Sequence, residues 1–400
     1  MKDNFELKHL FLNSNPWFSA VSDYSLQLAL YLNQPDGVLY CSEVGHTAMQ
    51  QKCLENHLPF KHLPIHRQTI ISFMTSLIFI IQTLFKYKNK QIFFWTFEGR
   101  EHSFCVVTKI LFPFLWKNKK LIRVRGQAQR LKSNFFSRII YNYLTNKIIF
   151  AADCIKKQVG FELNKNKTIV HYYAKDAMPQ KNYENRFYLD SSFPPIDKNK
   201  LSFLVIGRFD PVKGHDYLLE AFSKANFKDR FNNTIESQLI FLGYKANINP
   251  QNIFLKHLSK FDIQKSNVNK FFLEDSSQKK QVFIIEEKIN NIENLIATVS
   301  FGVIPSLGSE VICRVGVEFL QSGIPVLSSN VGALPEVLSV FSNLIFNSGD
   351  EENLKQKLEY SAAIFLEKNQ YILLKDKAKL EGNNRFSSSS YNSLLNFIYN

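Results

Sequence analysis

Residues 299–337 read VSFGVIPSLGSEVICRVGVEFLQSGIPVLSSNVGALPEV. A short apolar run opens the stretch, a loop containing Pro and Gly follows, and an apolar-periodic segment then leads into a second apolar run at 325–327. This order predicts strand, loop, helix and strand, and such alternation builds a parallel sheet. Parallel sheets bind ligands at the carboxyl ends of their strands, where helix N-termini attract phosphate. The stretch therefore predicts an α/β fold with an anion-binding edge.

Two carboxylates belong to the region of the predicted helix: Glu310 lies at its start and Glu318 lies inside it. A carboxylate this close to an anion site is best explained if it accepts hydrogen bonds from hydroxyl groups, which sugars and riboses supply. Helices often carry glutamates eight positions apart, so the pair alone is a weak signal. It becomes specific because the sequence GIPVLSSNVGALPEV follows in register at residues 323–337.

This combination resembles the E-x7-E signature, and the Gly-x-Pro-Val and Gly-x-x-Pro-Glu elements after it, of family 4 retaining glycosyltransferases with the GT-B fold. The resemblance implies two Rossmann-like doubly wound domains facing across a cleft, with a nucleotide-sugar donor bound to the second. It also implies that Glu310 contacts hydroxyls of the donor sugar and that Glu318 holds the ribose hydroxyls. The expected reaction retains the anomeric configuration, and the leaving phosphate deprotonates the acceptor hydroxyl.

The resemblance assigns further residues to the donor site. Val311, Ile312 and Cys313 stand where the family often has Gly-Phe-Gly, and Arg314 is a residue that some members carry at the next position. That difference affects how closely the backbone approaches a phosphate. Glu286 ends another apolar run and falls where the family flanks the nucleotide base.

A second motif, GRFDPVKG at residues 207–214, follows the apolar run at 201–206. Gly207 allows a tight turn, while Arg208 offers a forked donor and Lys213 a point charge for one diphosphate. The motif resembles the donor-phosphate element of the same family. There the two cations stabilise the leaving nucleoside diphosphate, a role that a metal has in other enzymes.

The amino-terminal half matches the family less specifically. The resemblance places His102 near the reacting centre as a catalytic residue, although a lone histidine is more often structural. Acceptor-binding candidates follow the first, fourth and fifth predicted strands: Trp17, Glu98, Arg100 and Arg125, with Arg123 and Gln127 beside the last. Residues 98–102 are predicted as a loop, with a helix beginning at Ser103.

Length and composition fit two domains in a chain of 400 residues. The pattern and the resemblance predict an acceptor-binding domain at 1–185, a polar linker at 186–200, a donor-binding domain at 201–370, and helices at 371–400 that cross back to the first domain. The block 264–281 is longer and more polar than the pattern requires and predicts an inserted loop.

The formal net charge is +14. A positive charge of this size suits binding to nucleic acid, to an anionic membrane or to acidic substrates. The lysines are scattered along the sequence, however, which is also what a bias in amino-acid composition would produce. Thr69–Phe85 is apolar on nearly all faces and predicts a helix on a sheet or in a membrane interface. With no apolar signal segment at the start, the sequence predicts a cytoplasmic protein with peripheral contact to the inner face of the inner membrane, acting on a lipid-linked or lipopolysaccharide-type glycan.

Other chemistries find little support in the sequence. Asp-x-Asp, Gly-x-Gly-x-x-Gly and P-loop motifs do not occur, and the five cysteines form no metal-site spacing. We therefore expect no cofactor and no metal, with UDP- or GDP-linked sugar as donor substrate and no nucleic acid as partner. A nucleotide-sugar epimerase and a non-catalytic nucleotide-binding protein of the same fold remain as alternatives.

Overall fold

The computed structural model describes residues 6–33, 37–176, 185–189, 191–289, 292–308 and 310–400. The chain divides into two compact units, residues 1–175 with 388–400, and residues 176–387. Residue 190 of the predicted linker and Ser309 of the motif-bearing stretch lie outside the described residues.

The first unit alternates strands with helices from its start. Its elements are β1 (Leu7–Asn13), α1 (Ala20–Asn33), β2 (Gly37–Ser42), α2 (Thr47–Glu55), β3 (Phe60–His62), α3 (Ile70–Lys86), β4 (Ile92–Thr96), α4 (Gly99–Leu111), β5 (Lys119–Arg125), α5 (Phe135–Ile139), β6 (Lys147–Phe150), α6 (Asp153–Lys157) and β7 (Thr168–Val170).

The seven strands form one parallel sheet in the order β3-β2-β1-β4-β5-β6-β7. This is the doubly wound arrangement, and its strand order reverses direction between β1 and β4. Strands β1 and β4 are almost completely buried, as expected for a sheet covered by helices on both faces.

The second unit contains the remaining elements. They are β8 (Arg186–Phe187), β9 (Ile196–Asp197), β10 (Leu201–Ile206), α7 (His215–Lys224), β11 (Ser237–Leu242), α8 (Pro250–His257), β12 (Ile263–Asn267), β13 (Lys270–Asp275), β14 (Lys280–Ile285), α9 (Ile292–Thr298), β15 (Phe301–Ile304), α10 (Arg314–Gln321), β16 (Val326–Ser329), α11 (Leu334–Val337), β17 (Ile345–Phe346), α12 (Glu351–Leu366) and α13 (Lys368–Phe386). A final helix, α14 (Tyr391–Tyr399), belongs to the first unit.

The large sheet of this unit has the order β12-β13-β14-β11-β10-β15-β16-β17. From β14 to β17 every pairing is parallel, and β10 and β15 lie side by side at the point where the order reverses. Loops leaving the carboxyl ends of β10 and β15 therefore meet at the topological switch point, the position where doubly wound sheets bind their ligands. These loops carry the two motifs that the sequence singled out.

The structure confirms the predicted α/β architecture and corrects two local predictions. Residues 264–281 are not a loop, because most of them form an antiparallel extension in which β12 and β13 pair with β14. Every side chain of β12 is exposed, so this edge strand is held by its backbone and has no apolar pattern that the sequence could reveal. The second correction concerns residues 98–102 and is described with the site.

The apolar segment at residues 69–85 is helix α3, capped by the Thr69 hydroxyl, which accepts a hydrogen bond from the backbone N–H of Ser72 at 3.2 Å. Within the described parts of the chain, none of the helices combines the length and the apolar character that crossing a bilayer requires.

Candidate functional site

The turn after β10 is built by Asp210. Its carboxylate accepts a hydrogen bond from the backbone N–H of Val212 at 3.0 Å and another from the Asn247 amide at 2.8 Å. The same carboxylate lies 3.2 Å from Nε of Arg208, whose side chain stays 46% exposed. Asp210, which the sequence reasoning passed over, thus holds both the turn and the predicted phosphate-binding arginine.

Gly214 ends the turn and begins α7. Its backbone is left-handed, with φ at +69°, and a Cβ there would lie 2.2 Å from the carbonyl oxygen of Pro305. Only glycine fits this position, because it tolerates both the backbone conformation and the close contact. The turn also binds the loop after β15 through the N–H of Leu307, which donates to the carbonyl of Val212 at 2.8 Å. The two motif-bearing loops are therefore packed directly against each other.

Lys213 and Glu310, 97 positions apart in the sequence, form an ion pair in this loop contact. The Ser306 hydroxyl donates to the same Glu310 carboxylate oxygen at 2.6 Å, and the Glu310 side chain is only 10% exposed. An ammonium group has three donors. Lys213 can therefore hold Glu310 and still bind a phosphate oxygen.

A third loop, after β16, fixes the backbone of Glu310. The N–H of Ala333 donates to the Glu310 carbonyl at 2.7 Å. Gly332 has φ at +57°, and a Cβ on it would lie 1.9 Å from the same carbonyl oxygen. The glycine of the Gly-x-x-Pro-Glu element thus lets the loop after β16 approach the backbone of Glu310 closely. This contact is a physical reason for the fixed spacing between the element and Glu310.

Glu318 lies in α10, with its backbone carbonyl accepting the N–H of Ser322 at 3.1 Å, and its side chain is partly exposed. Arg314 is also partly exposed and starts the helix, while Ile312 and Cys313 are buried just before it. Glu310 therefore precedes α10 and Glu318 lies one helical turn before its end, as the spacing predicted. A donor site containing all of these residues remains a prediction.

Two other donor-site candidates lie on the same edge of the sheet. Glu286 follows β14 directly, and its N–H donates to the carbonyl of Asn269 at 2.8 Å. At Gly207 a Cβ would meet nothing within 4 Å, whereas a Cβ at Gly243 would lie 1.8 Å from the Gly207 carbonyl oxygen. Close packing at this turn therefore requires a glycine at position 243 and not at position 207. Gly243 lies outside the sequence motif.

His215 packs against aromatic rings at the start of α7 and adds no positive charge to the turn after β10. Its ring is 1% exposed, 4.8 Å from the ring of Phe209 and 5.5 Å from that of Phe241, centroid to centroid. Burial, together with the nearby Lys213 ammonium, lowers the pKa of His215 to about 4. The cations available to a ligand at this turn are therefore Arg208 and Lys213.

A cavity of about 520 Å³ adjoins the same turn. Its lining includes Gly214, His215 and Lys256 and three carboxylates, Asp216, Glu220 and Glu351. Three carboxylates against one lysine do not favour a diphosphate, and we place none there. Among the residues that the structure describes, no group of three or more His, Cys, Asp or Glu side chains is arranged to hold a metal ion.

In the first unit, residues 98–102 are not the loop that the sequence predicted. Helix α4 begins at Gly99, because the Glu101 carboxylate accepts hydrogen bonds from the N–H groups of Phe97 at 3.0 Å and Glu98 at 2.5 Å in a capping box. Arg100 donates to the carbonyls of His66 and Arg67 at 2.8 and 2.9 Å and so ties the loop between β3 and α3 to the start of α4. An acceptor-binding role for Arg100 stays a prediction.

His102 is buried on α4, and its Nε2 lies 3.0 Å from the Thr145 hydroxyl. Burial, and next the positive charges of Arg123 and Arg125, lower its pKa well below the ordinary histidine value. The ring is therefore neutral at physiological pH. A catalytic role for His102 stays a prediction.

Glu98 lies at the N-terminus of α4 with two arginines nearby. Burial, and then the charge of Glu101, raise the pKa of Glu98 to about 7, against the opposing effect of Arg123 and Arg125. Arg125 is buried and donates to the carbonyl of Gln129 at 2.5 Å. Glu98 and Arg125, predicted separately as acceptor-binding residues, are thus electrostatically coupled.

Trp17 belongs to the loop that follows β1, at the same edge of the first sheet, and is 64% exposed. The Ser22 hydroxyl donates to its backbone carbonyl at 3.1 Å, so the loop is anchored while the indole faces solvent. An exposed aromatic ring on an anchored loop offers an apolar face for a sugar ring.

Replacing Glu98 by glutamine is expected to stabilise the protein near pH 8 but not near pH 4. The pKa of Glu98 is about 7 in the folded protein, against an ordinary glutamate value of 4.5. Between these two pH values the folded protein keeps a proton that the unfolded chain releases. The stability of the protein therefore falls as the pH rises from 4.5 to 7. Removing that penalty should contribute on the order of 1 kcal/mol, or roughly 2–4 °C in Tm.

Thermal unfolding followed by circular dichroism at both pH values checks this expectation. Glu55→Gln, at an exposed glutamate of α2, is the matched control and should shift Tm equally at both. An equal shift at both pH values for Glu98→Gln as well would contradict the assigned pKa.

Solved structures share this architecture. The chain superposes on a glycosyltransferase from Rickettsia africae ESF-5 with a TM-score of 0.72 at 15% identity, covering 98% of both chains. With Anabaena Alr3699/HepE in complex with UDP and glucose the TM-score is 0.68 at 14% identity, covering 98% of this chain and 99% of that one. These likenesses confirm the predicted GT-B fold with two Rossmann-like domains.

Sequence comparison gives two further similarities. A Klebsiella pneumoniae protein described as an uncharacterized 41.2 kDa protein in the cps region is 25% identical over 288 residues, which is 67% of this chain and 68% of that protein. The family model for glycosyl transferases group 1 matches residues 190–363. The fold is that of GT-B glycosyltransferases. Over the matched segment, which contains the Lys213–Glu310 pair, the chain is similar to the glycosyl transferases group 1 family.

Proposed function

We propose that this protein transfers a sugar, with retention of anomeric configuration and without a metal ion, from a UDP- or GDP-linked donor to a hydroxyl group of a cell-surface glycan or its lipid-linked precursor. The observation that carries the proposal is the Lys213–Glu310 pair at the switch point of the second sheet. It combines a cation suited to phosphate with a buried carboxylate suited to sugar hydroxyls.

The proposed chemistry breaks the bond between the anomeric carbon and the diphosphate oxygen and forms one to the acceptor oxygen. The acceptor proton moves to the leaving phosphate on the same face of the sugar. Arg208 and Lys213 stabilise the negative charge that develops on the diphosphate. Glu310 accepts hydrogen bonds from the sugar hydroxyls and Glu318 from those of the ribose.

Support for a nucleotide-sugar donor comes from the HepE structure, which was determined with UDP and glucose. Support for a cell-surface acceptor comes from the relative in the Klebsiella pneumoniae cps region. We place the acceptor on the first domain, where Trp17 and Glu98 follow β1 and β4 and Arg125 ends the neighbouring β5. The enzyme would work in the cytoplasm.

A nucleotide panel tests this function. Tm of the protein is measured with UDP, GDP, ADP and CMP, each with magnesium and with EDTA. One diphosphate should raise Tm by several degrees, because it binds only the folded state, and the rise should be the same in EDTA.

Arg208→Ala and Lys213→Ala should abolish that rise. Lys224→Ala is the matched control, because Lys224 is a half-exposed cation of the same unit that belongs to neither motif. Absence of a shift with every nucleotide, or a shift that survives both motif substitutions, would refute the donor site.

We further propose that the first unit contacts an anionic membrane through α3. Large apolar side chains on this helix are exposed, among them Ile70, Ile71 and Phe85, and α3 packs against α4, where Ile110 and Leu111 are exposed as well. With a net charge of +14, such a surface suits interfacial binding in which apolar burial and attraction to anionic lipid act together.

Replacing Ile70 and Ile71 together by glutamate should lower the fraction of protein that sediments with phosphatidylglycerol vesicles at least about fivefold, because two apolar anchors are lost and two negative charges are added. Tm should be unchanged, since both side chains are largely exposed. Val268→Glu, on an 88% exposed valine at the tip of the β12–β13 hairpin, is the control and should bind vesicles like the wild type. Equal sedimentation of all three proteins would refute the membrane contact.

A further inference from the structure

Arg123 is the most unusual buried side chain of the first unit. It lies in β5, paired with Thr96 of β4 and Ile148 of β6, and its exposed fraction is 0%. In the described part of the chain, none of its three guanidinium nitrogens has a hydrogen-bond partner. A buried charge without a partner is costly, and proteins normally satisfy such groups.

Arg123 has a second arginine beside it in the same strand. Arg125 lies two residues further along β5, so its side chain leaves the same face of the sheet nearer the carboxyl edge. Nε of Arg125 also lacks a partner within the described residues. His102 is neutral, and the nearby carboxylate, Glu98, is weakened as a counter-ion because its pKa is about 7.

The cluster lies toward the carboxyl edge of the sheet, where doubly wound folds bind their ligands. Glu98 follows β4 by two residues and is partly exposed, whereas Arg125 ends β5 beside it. A group approaching from this edge would come to Arg125 before Arg123, which lies two residues further from the edge. Two guanidinium groups with unused donors in this order suit a phosphate or a carboxylate, whose oxygens accept paired N–H donors.

We propose that Arg123 and Arg125 bind an anionic group, a phosphate or a carboxylate, of the acceptor that receives the sugar. This inference rests on the proposed function and specifies its acceptor class. A lipid-linked acceptor would supply a phosphate, and an acidic glycan would supply a uronate carboxylate.

Calorimetric titration of the Lys213→Ala protein tests the proposal, because that background weakens phosphate binding at the donor site. The probes are inorganic phosphate, glucuronate and neutral glucose at constant ionic strength. Phosphate or glucuronate, but not glucose, should bind, and the better ligand of the two identifies the source of the anion.

Adding Arg123→Met should weaken that binding at least about tenfold without lowering Tm, because methionine fills a similar volume and removes an unpaired buried charge. Arg125→Gln should weaken anion binding several-fold. This variant provides the test if the methionine variant does not fold. Glu98→Gln should strengthen it, because a competing carboxylate is removed.

Failure of both anions to bind, or equal binding after either arginine substitution, would overturn the proposal. UDP or GDP binding to the wild type is measured in parallel. If a nucleotide binds while neither anion does, the glycosyltransferase function stands and the anionic acceptor alone fails.

Discussion

Replacing Lys213 by alanine is expected to lower kcat for sugar transfer, followed as release of nucleoside diphosphate, by about 10²- to 10³-fold. That is the usual loss when one preorganised group that stabilises developing charge is removed. Lys213 has a second task, because its ammonium pairs with Glu310, whose other side-chain hydrogen bond among the described residues comes from the Ser306 hydroxyl. The substitution therefore weakens both the diphosphate and the sugar contacts.

A double-mutant cycle separates these roles. Because Lys213 and Glu310 act as one unit, Lys213→Ala combined with Glu310→Gln should cost much less than the product of the single losses. Lys224→Ala should leave kcat within about twofold of the wild type. A Lys213→Ala protein that retains a third or more of wild-type kcat would remove Lys213 from the mechanism.

Replacing Gly332 by alanine is expected to destabilise the second unit by about 3 kcal/mol or more and to reduce activity sharply. At φ +57° an L side chain costs roughly 1–2 kcal/mol. In addition, the new Cβ would stand 1.9 Å from the Glu310 carbonyl oxygen, so the backbone of Glu310 must move. A displacement of this order at a catalytic group can itself cost about 10²-fold in rate.

Gly349→Ala is the matched control for this substitution. Gly349 lies in the same unit with φ at +79°, but a Cβ on it would meet nothing within 4 Å. It should therefore show only the backbone cost and almost unchanged kcat. Urea unfolding and steady-state kinetics on both variants measure the difference, and equal effects would mean that Gly332 does not position Glu310.

The sequence was sufficient to predict the parallel sheets because their buried strands are short apolar runs between turn residues. The predicted strand at 201–206 is β10 without any shift. The sequence prediction failed at β12. The side chains of this strand are exposed and show no apolar period, and backbone pairing with β13 holds it in place. The prediction also failed at the start of α4, where a capping box built by Glu101 includes residues 99–102 in the helix.

The site was predictable only in part for a similar reason. Glu310 and Lys213 have recognisable spacing within their own motifs, so each could be named from the sequence. The contacts that hold them involve Ser306 and Asp210, and Gly243 supports the same turn, yet none of these three belongs to a spacing pattern. The unpartnered burial of Arg123 likewise arises from sheet register, which no local sequence pattern reports.

The most direct test of the central claim is the anomeric configuration of the product formed in EDTA. An α-linked nucleotide sugar that carries the base selected by the binding panel is incubated with the protein, with water as the acceptor, and the anomeric proton of the released sugar is followed by NMR before mutarotation. The account predicts turnover without metal and an α-configured first product. A β-configured first product, or turnover that requires added magnesium, would contradict it.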